Sequence, residues 1–145
     1  MQFTTVATIL AGAAAVAAAP TPSTLQSFNV EGLKWSTTPS QTQVSFDFND
    51  PNSGIKTNCY WSPVLIGGVY TCNNNDNVKY AFNDDMTQMS VAVTFPKGTL
   101  DDSDAYYIAN GTAATAKTCQ GTTAGQDCQG APHIFLTINE IQGVA

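Results

Sequence analysis

KTNCYWSPVLIGGVYTCNNNDNVKYAF, running from Lys56 to Phe82, is the stretch that decides the fold. Ile55, Thr57, Cys59 and Trp61 fall on one face at the period of two that belongs to a strand. That face places the Trp61 indole beside the Cys59 sulfur, so Trp61 is expected in the core. Pro63, which has no amide hydrogen to give a ladder, ends the strand. Val64 to Ile66, Gly67-Gly68 and Val69 to Cys72 read as a turn with a return strand, bringing Cys72 back towards Cys59. Asn73 to Asn77 reads as a tight polar turn. Val78, Tyr80 and Phe82 then resume the alternation.

The same pattern extends in both directions. Upstream, Pro20 to Thr24 is a polar, flexible lead. Leu25 to Ser36 is a first strand, with Phe28 and Val30 on one face. Glu31-Gly32 interrupts it, and Leu33 and Trp35 resume one register over, the signature of a bulge. Thr42 to Asn49 alternates strictly, with Val44, Phe46 and Phe48 inward. Asp50 to Gly54 is a loop of turn formers. Downstream, Met89, Val91, Val93 and Phe95 make another inward stripe. Leu100 to Asp104 is an acidic loop and Ala105 to Asn110 a short aromatic strand. Thr112 to Ala131, poor in hydrophobes, is expected to be part strand and part loop. Pro132 to Gln142 closes with Ile134, Leu136 and Ile138 on one face. No segment has the period of a long helix. Strands at this spacing, separated by Gly, Asn, Asp and Pro, predict an all-β, single-domain antiparallel barrel or sandwich over residues 25–145.

The first nineteen residues, MQFTTVATILAGAAAVAAA, carry no charge and end in a small-x-small pattern at Ala17 and Ala19. They read as a secretory signal, shorter in its apolar part than the ~20 residues of a membrane span. The rest of the chain is expected to be extracellular, with no membrane association. Of the 145 residues five are Lys or Arg, all of them Lys, against eleven acids, a formal charge of −6. A nucleic-acid partner is not expected, because phosphate binding requires a basic footprint. Four cysteines behind a signal peptide imply disulfides, and three pairings are possible. The sequential one, Cys59 with Cys72 and Cys119 with Cys128, closes two short loops. Zinc fits poorly, since no C-x-x-C spacing is present.

Few residues could carry chemistry. His133 is the one histidine, and a nucleophile–base–acid triad would have to use it. No G-x-S-x-G elbow accompanies it, and the alternation of the last strand turns it to the surface. Glu31 and Glu140 are the two glutamates, and nothing in their spacing pairs them as a glycosidase would. Asp84-Asp85 and Asp101-Asp102-x-Asp104 could gather around Ca²⁺ but match no calcium loop, so solvated turns are expected and no metal. Trp35, Trp61 and Tyr106 could form an aromatic face for a sugar or a planar ligand. Asn110-Gly-Thr112 is a glycosylation sequon. No catalytic residues and no cofactor are expected.

In combination, several short motifs carry a likeness. They are the MQFTT Ala-rich leader, the segment from Cys59 that ends in Tyr70-Thr-Cys72, the Tyr80-Ala-Phe82 strand, Cys119 with Cys128-Gln-Gly130, and the tail His133-Ile-Phe-Leu-Thr-Ile138. The chain resembles the Alternaria major allergen family of small fungal secreted proteins, which includes plant-defence elicitors and effectors. The resemblance implies a compact β-barrel or sandwich with the two sequential disulfides and no established enzyme activity. It implies secretion by a fungus and binding of host plant extracellular proteins, to elicit or suppress defence. Some members are described as carrying a small aromatic ligand, so a small-ligand or glycan-binding barrel is the alternative. The type member has a further cysteine near its mature N-terminus that links two subunits. Pro20 to Asn58 holds none here, so a monomer or a non-covalent dimer is expected.

Overall fold

The computed structural model describes residues 20–64 and 67–144. The expected signal, Met1 to Ala19, and the Leu65-Ile66 step of the expected turn lie outside them. The lead carries one 3₁₀ turn, Pro22–Thr24, closed by hydrogen bonds from the Thr24 and Leu25 amides to the Thr21 and Pro22 carbonyls. Ten strands come after it: β1 (Phe28–Thr37), β2 (Thr42–Asp50), β3 (Ile55–Trp61), β4 (Val69–Cys72), β5 (Asn75–Phe82), β6 (Gln88–Phe95), β7 (Tyr106–Ala114), β8 (Thr118–Gly121), β9 (Gln126–Gln129) and β10 (His133–Val144). Among the described residues no helix is long and apolar enough to cross a membrane.

The strands pair antiparallel in the order β3-β2-β1-β10-β7-β6-β5-β4, with β9 also beside β1 and β8 on β9. The sheet curls into a nearly closed barrel, so of the two expected architectures the barrel is the one formed. Its ends, β3 and β4, share no ladder among the described residues; the Cys59–Cys72 disulfide joins them instead, with Cα atoms 4.4 Å apart. This bridge therefore closes the barrel, where the sequence suggested a staple between a strand and its return. The Tyr60 amide adds one bond across the same seam, donating to Asn73 Oδ1 at 2.6 Å. The second disulfide, Cys119–Cys128, links directly opposed residues of the β8–β9 hairpin.

The inward stripes pack as their period demands. Phe28, Val30, Val44, Phe46, Phe48, Tyr80, Val91, Phe95 and Leu136 are all buried. The interruption at Glu31-Gly32 is a register shift between Glu31 and Lys34 in the β1–β2 ladder. Gly32 sits there at φ +66°, a left-handed conformation that side chains disfavour. The shift returns Leu33 and Trp35 to the core, and the partner on the other edge of β1 changes at the same point. Phe28 to Glu31 pair with β10, whereas Lys34 to Thr37 pair with β9.

Several boundaries differ from expectation. Strand β1 starts at Phe28, three residues later than the first-strand reading, because the Gln26 backbone before it bonds the Asn52 side chain and not a neighbouring strand. The polar turn shrinks to Asn73-Asn74, because Asn75 already pairs with Cys72. Strand β7 runs on to Ala114, since Gly111 keeps the ladder going between Val91 and Ile138. The fit there is tight: a Cβ would stand 3.2 Å from the Phe28 ring and from the Leu136 and Thr137 carbonyls, so a larger residue requires its neighbours to give by a few tenths of an ångström. Trp61, expected in the core, is 39% exposed. It shares the face of Cys59, but β3 ends there, at the rim of the barrel, and the indole rests on Tyr70 with centroids 5.5 Å apart.

Candidate functional site

Strand alternation that buries Trp35, Val44 and Cys128 turns their neighbours outward in two cross-strand rows. Tyr60, Ser45, Lys34, Gln129 and Thr118 lie opposite one another across β3, β2, β1, β9 and β8. Gln43, Ser36, Asp127 and Gln120 form the next row. Together they line an open groove of about 550 Å³. Tyr60, 44% exposed, stands at its β3 end. The Ser36 hydroxyl donates to Asp127 Oδ1 at 2.8 Å, fixing the floor beside the Cys119–Cys128 bridge. The groove thus offers one amine, one carboxylate, side-chain amides and hydroxyls, and one aromatic ring. No imidazole reaches the Ser36–Asp127 pair, because His133 is on β10.

A smaller cavity of about 190 Å³ opens at one end of the barrel. Trp35, Tyr70 and Phe82 contribute aromatic surface, and Asp84, Asp85, Lys117 and Gln126 contribute the polar lining. The rings continue inward as a connected series: Trp35 to Phe82 at 6.3 Å, Phe82 to Tyr80 at 6.0 Å and Tyr80 to Tyr70 at 5.9 Å. Burial, and secondarily the neighbouring Tyr70, pushes the Tyr80 phenol up to about 12. Among the described residues its hydroxyl has no hydrogen-bond partner. At the rim, the Thr87 hydroxyl and amide hold the Asp85 carboxyl below its usual range. Lys117 Nζ donates to the Asp85 carbonyl oxygen at 2.8 Å.

The residues singled out from the sequence go to separate places. Cys59, Cys72, Cys119 and Cys128 form the two sequential bridges. His133 is exposed, with Nδ1 3.5 Å from Glu31 Oε2. Glu140 instead accepts from Asn110 Nδ2 at 3.2 Å, so the two glutamates serve different neighbours. That contact places the sequon asparagine in mid-strand on β7. Asp101 accepts from the Ser103 amide and hydroxyl and from the Tyr107 hydroxyl, which together keep its carboxyl low. Among the described residues no three His, Cys, Asp or Glu side chains converge as a metal site would need. Trp35 is buried at the barrel end and Trp61 lies at the rim. Among the described residues, neither a cavity nor a ring contact joins Tyr106 to them.

Sequence reasoning did not single out Tyr60 among the tyrosines and passed over Phe135, both exposed rings of the outer surface. Their outward phase is legible once their strands are assigned, but the inward stripe beside each carries the stronger signal. It also missed Asp50, placed in a loop but fully buried at the end of β2. The Asn52 amide, Asn52 Nδ2 and the Ser53 hydroxyl all donate to its carboxylate.

No family model matches the chain, and no curated protein matches it by sequence. Two solved structures match its fold, both crystal structures of the Alternaria alternata major allergen Alt a 1. One aligns with a TM-score of 0.57 at 17% identity, covering 84% of this chain and 95% of that one. The other gives 0.54 at 17% identity, covering 81% and 93%. The chain has the Alt a 1-like fold, and the expected likeness holds at that level.

Proposed function

We propose that this chain is a secreted, allergen-like fungal protein that acts by binding host plant extracellular proteins rather than by catalysis, and that it elicits or suppresses host defence. The observation that carries the reading is the outer groove of about 550 Å³, rigidified by a disulfide in its wall and lined by residues of five strands. Mixed polar side chains with an aromatic ring at one end suit a docking surface better than a reaction centre. The fold shared with an allergen, two disulfides and a signal-like leader support an extracellular setting.

The test is a quantitative capture experiment from plant apoplastic extract with the oxidised protein. Wild type is compared with a Lys34→Glu/Tyr60→Ala variant and with a reduced sample. A partner retained by wild type and lost from both comparisons supports the reading. A capture profile unchanged by the groove variant refutes it.

The barrel-end cavity favours a second reading, a small planar ligand seated against Trp35, Tyr70 and Phe82. At about 190 Å³ it is smaller than the ~300 Å³ of ordinary drug-sized sites, so its ligand would be small. Saturable quenching of Trp35 fluorescence by a phenolic compound supports it, and the absence of quenching removes it.

A further inference from the structure

On the other side of the β1 bulge lies a second outward surface that the groove does not use. His133 and Phe135, two apart on β10, stack with centroids 6.4 Å apart and planes 13° from parallel. Phe135 is 63% exposed, a large apolar ring left in water. Directly opposite on β1 stand Glu31, facing His133, and Asn29, facing Phe135. The rows continue to Asp47 and Asn49 on β2, then to Asn58 and Lys56 on β3. Beside the platform, over β1, β2 and β3, is a shallow cavity of about 420 Å³ lined by Asn29, Glu31, Asp47, Asn49 and Lys56. The short side chains of this face are already oriented: Asn29 Nδ2 donates to Glu31 Oε2 at 2.8 Å, and Asn58 Nδ2 to Asp47 Oδ1 at 3.0 Å.

We propose that this face is a binding site for a neutral polysaccharide, with one hexose ring resting on the His133–Phe135 platform and its neighbours running over β1, β2 and β3. The chemistry selects the ligand. The C–H face of a pyranose packs on an exposed planar ring, and vicinal hydroxyls pair with fixed carboxylates and amides, which both accept and donate. Glu31 and Asp47 are set against Lys56, so the face carries little charge and none of it in excess positive. It offers no basic footprint for a polyanion. Phe135, an exposed ring flanked by short polar side chains, matches the footprint of a single pyranose. The site is separate from the groove proposed above, so the two readings stand or fall independently.

Isothermal titration of the intact oxidised protein with cellohexaose, laminarihexaose and chitohexaose tests it, with polygalacturonate as the charged comparison. We expect saturable binding of at least one neutral hexasaccharide and none of polygalacturonate. Phe135→Ala should weaken that binding about tenfold or more at an unchanged melting temperature, Glu31→Gln should weaken it too, and Phe135→Tyr should retain it. Tyr60→Ala, in the other groove, should leave it unchanged. The proposal is overturned if no neutral hexasaccharide binds, if binding survives Phe135→Ala, or if polygalacturonate binds better.

Discussion

Replacing Cys59 and Cys72 together by alanine tests whether the first disulfide closes the barrel. Loop length alone makes the two bridges nearly equal. With separations of 13 and 9 residues, each constrains the unfolded chain by about 3 kcal/mol. That corresponds to a melting shift on the order of 10 °C for a domain of this size. The architecture separates them. Cys119–Cys128 reinforces a hairpin whose ladder already pairs four residues of each strand. Cys59–Cys72 spans a seam with no ladder among the described residues, crossed otherwise by the Tyr60–Asn73 bond and the Trp61–Tyr70 ring contact. Removing the seam bridge should therefore cost more than removing the hairpin bridge, and the excess should be local. Thermal melts of the two double variants, with amide exchange resolved by strand, are the assay. The Cys59/Cys72 variant should melt lower and lose protection in β3 and β4, while the Cys119/Cys128 variant should lose it in β8 and β9. Equal melting shifts with an unperturbed seam would refute the reasoning.

Tyr80→Phe removes a buried hydroxyl that lacks a partner, so chemical denaturation should show stability unchanged or raised by up to about 1 kcal/mol. Because the folded Tyr80 is pushed from 10.0 to about 12, wild type should lose stability as pH rises through that window, and the Phe variant should lose less. Asp50→Ala strands the Asn52 and Ser53 donors and should lower stability by about 2 kcal/mol in urea titration. Asp85 and Asp101 are both held low, so their contribution is present at neutral pH and is lost as pH falls through the folded values. Melting temperature should drop from about pH 4 downward, and Asp101→Asn should flatten that slope.

The strands were legible because a period of two is a local property: Val44, Phe46 and Phe48, or Met89, Val91 and Val93, announce a buried face without reference to any partner. The bulge was legible for the same reason, since Gly32 breaks the phase within one strand. What escaped depended on neighbours far away in the chain. Trp61 has the phase of a core residue, and only the position of β3 at the barrel rim exposes it. Asp50 has the composition of a loop, and only the packing around the end of β2 buries it. The closing role of Cys59 and Cys72 comes from β3 and β4 being the two ends of the strand order, which no window of sequence contains.

The outer surfaces were hidden more deeply, because each is assembled in rows across strands. Lys34 meets Gln129, and Asn29 meets Phe135, through ladders on the same edge of β1. β9 and β10 follow one another along that edge, and the step between them at Gly130 lies opposite the bulge, where the Gly130 amide donates to the Leu33 carbonyl. Before the bulge, β10 brings His133 and Phe135; after it, β9 brings Asp127 and Gln129. The left-handed Gly32 sits where the aromatic platform gives way to the polar groove, a junction that only the pairing of distant strands reveals.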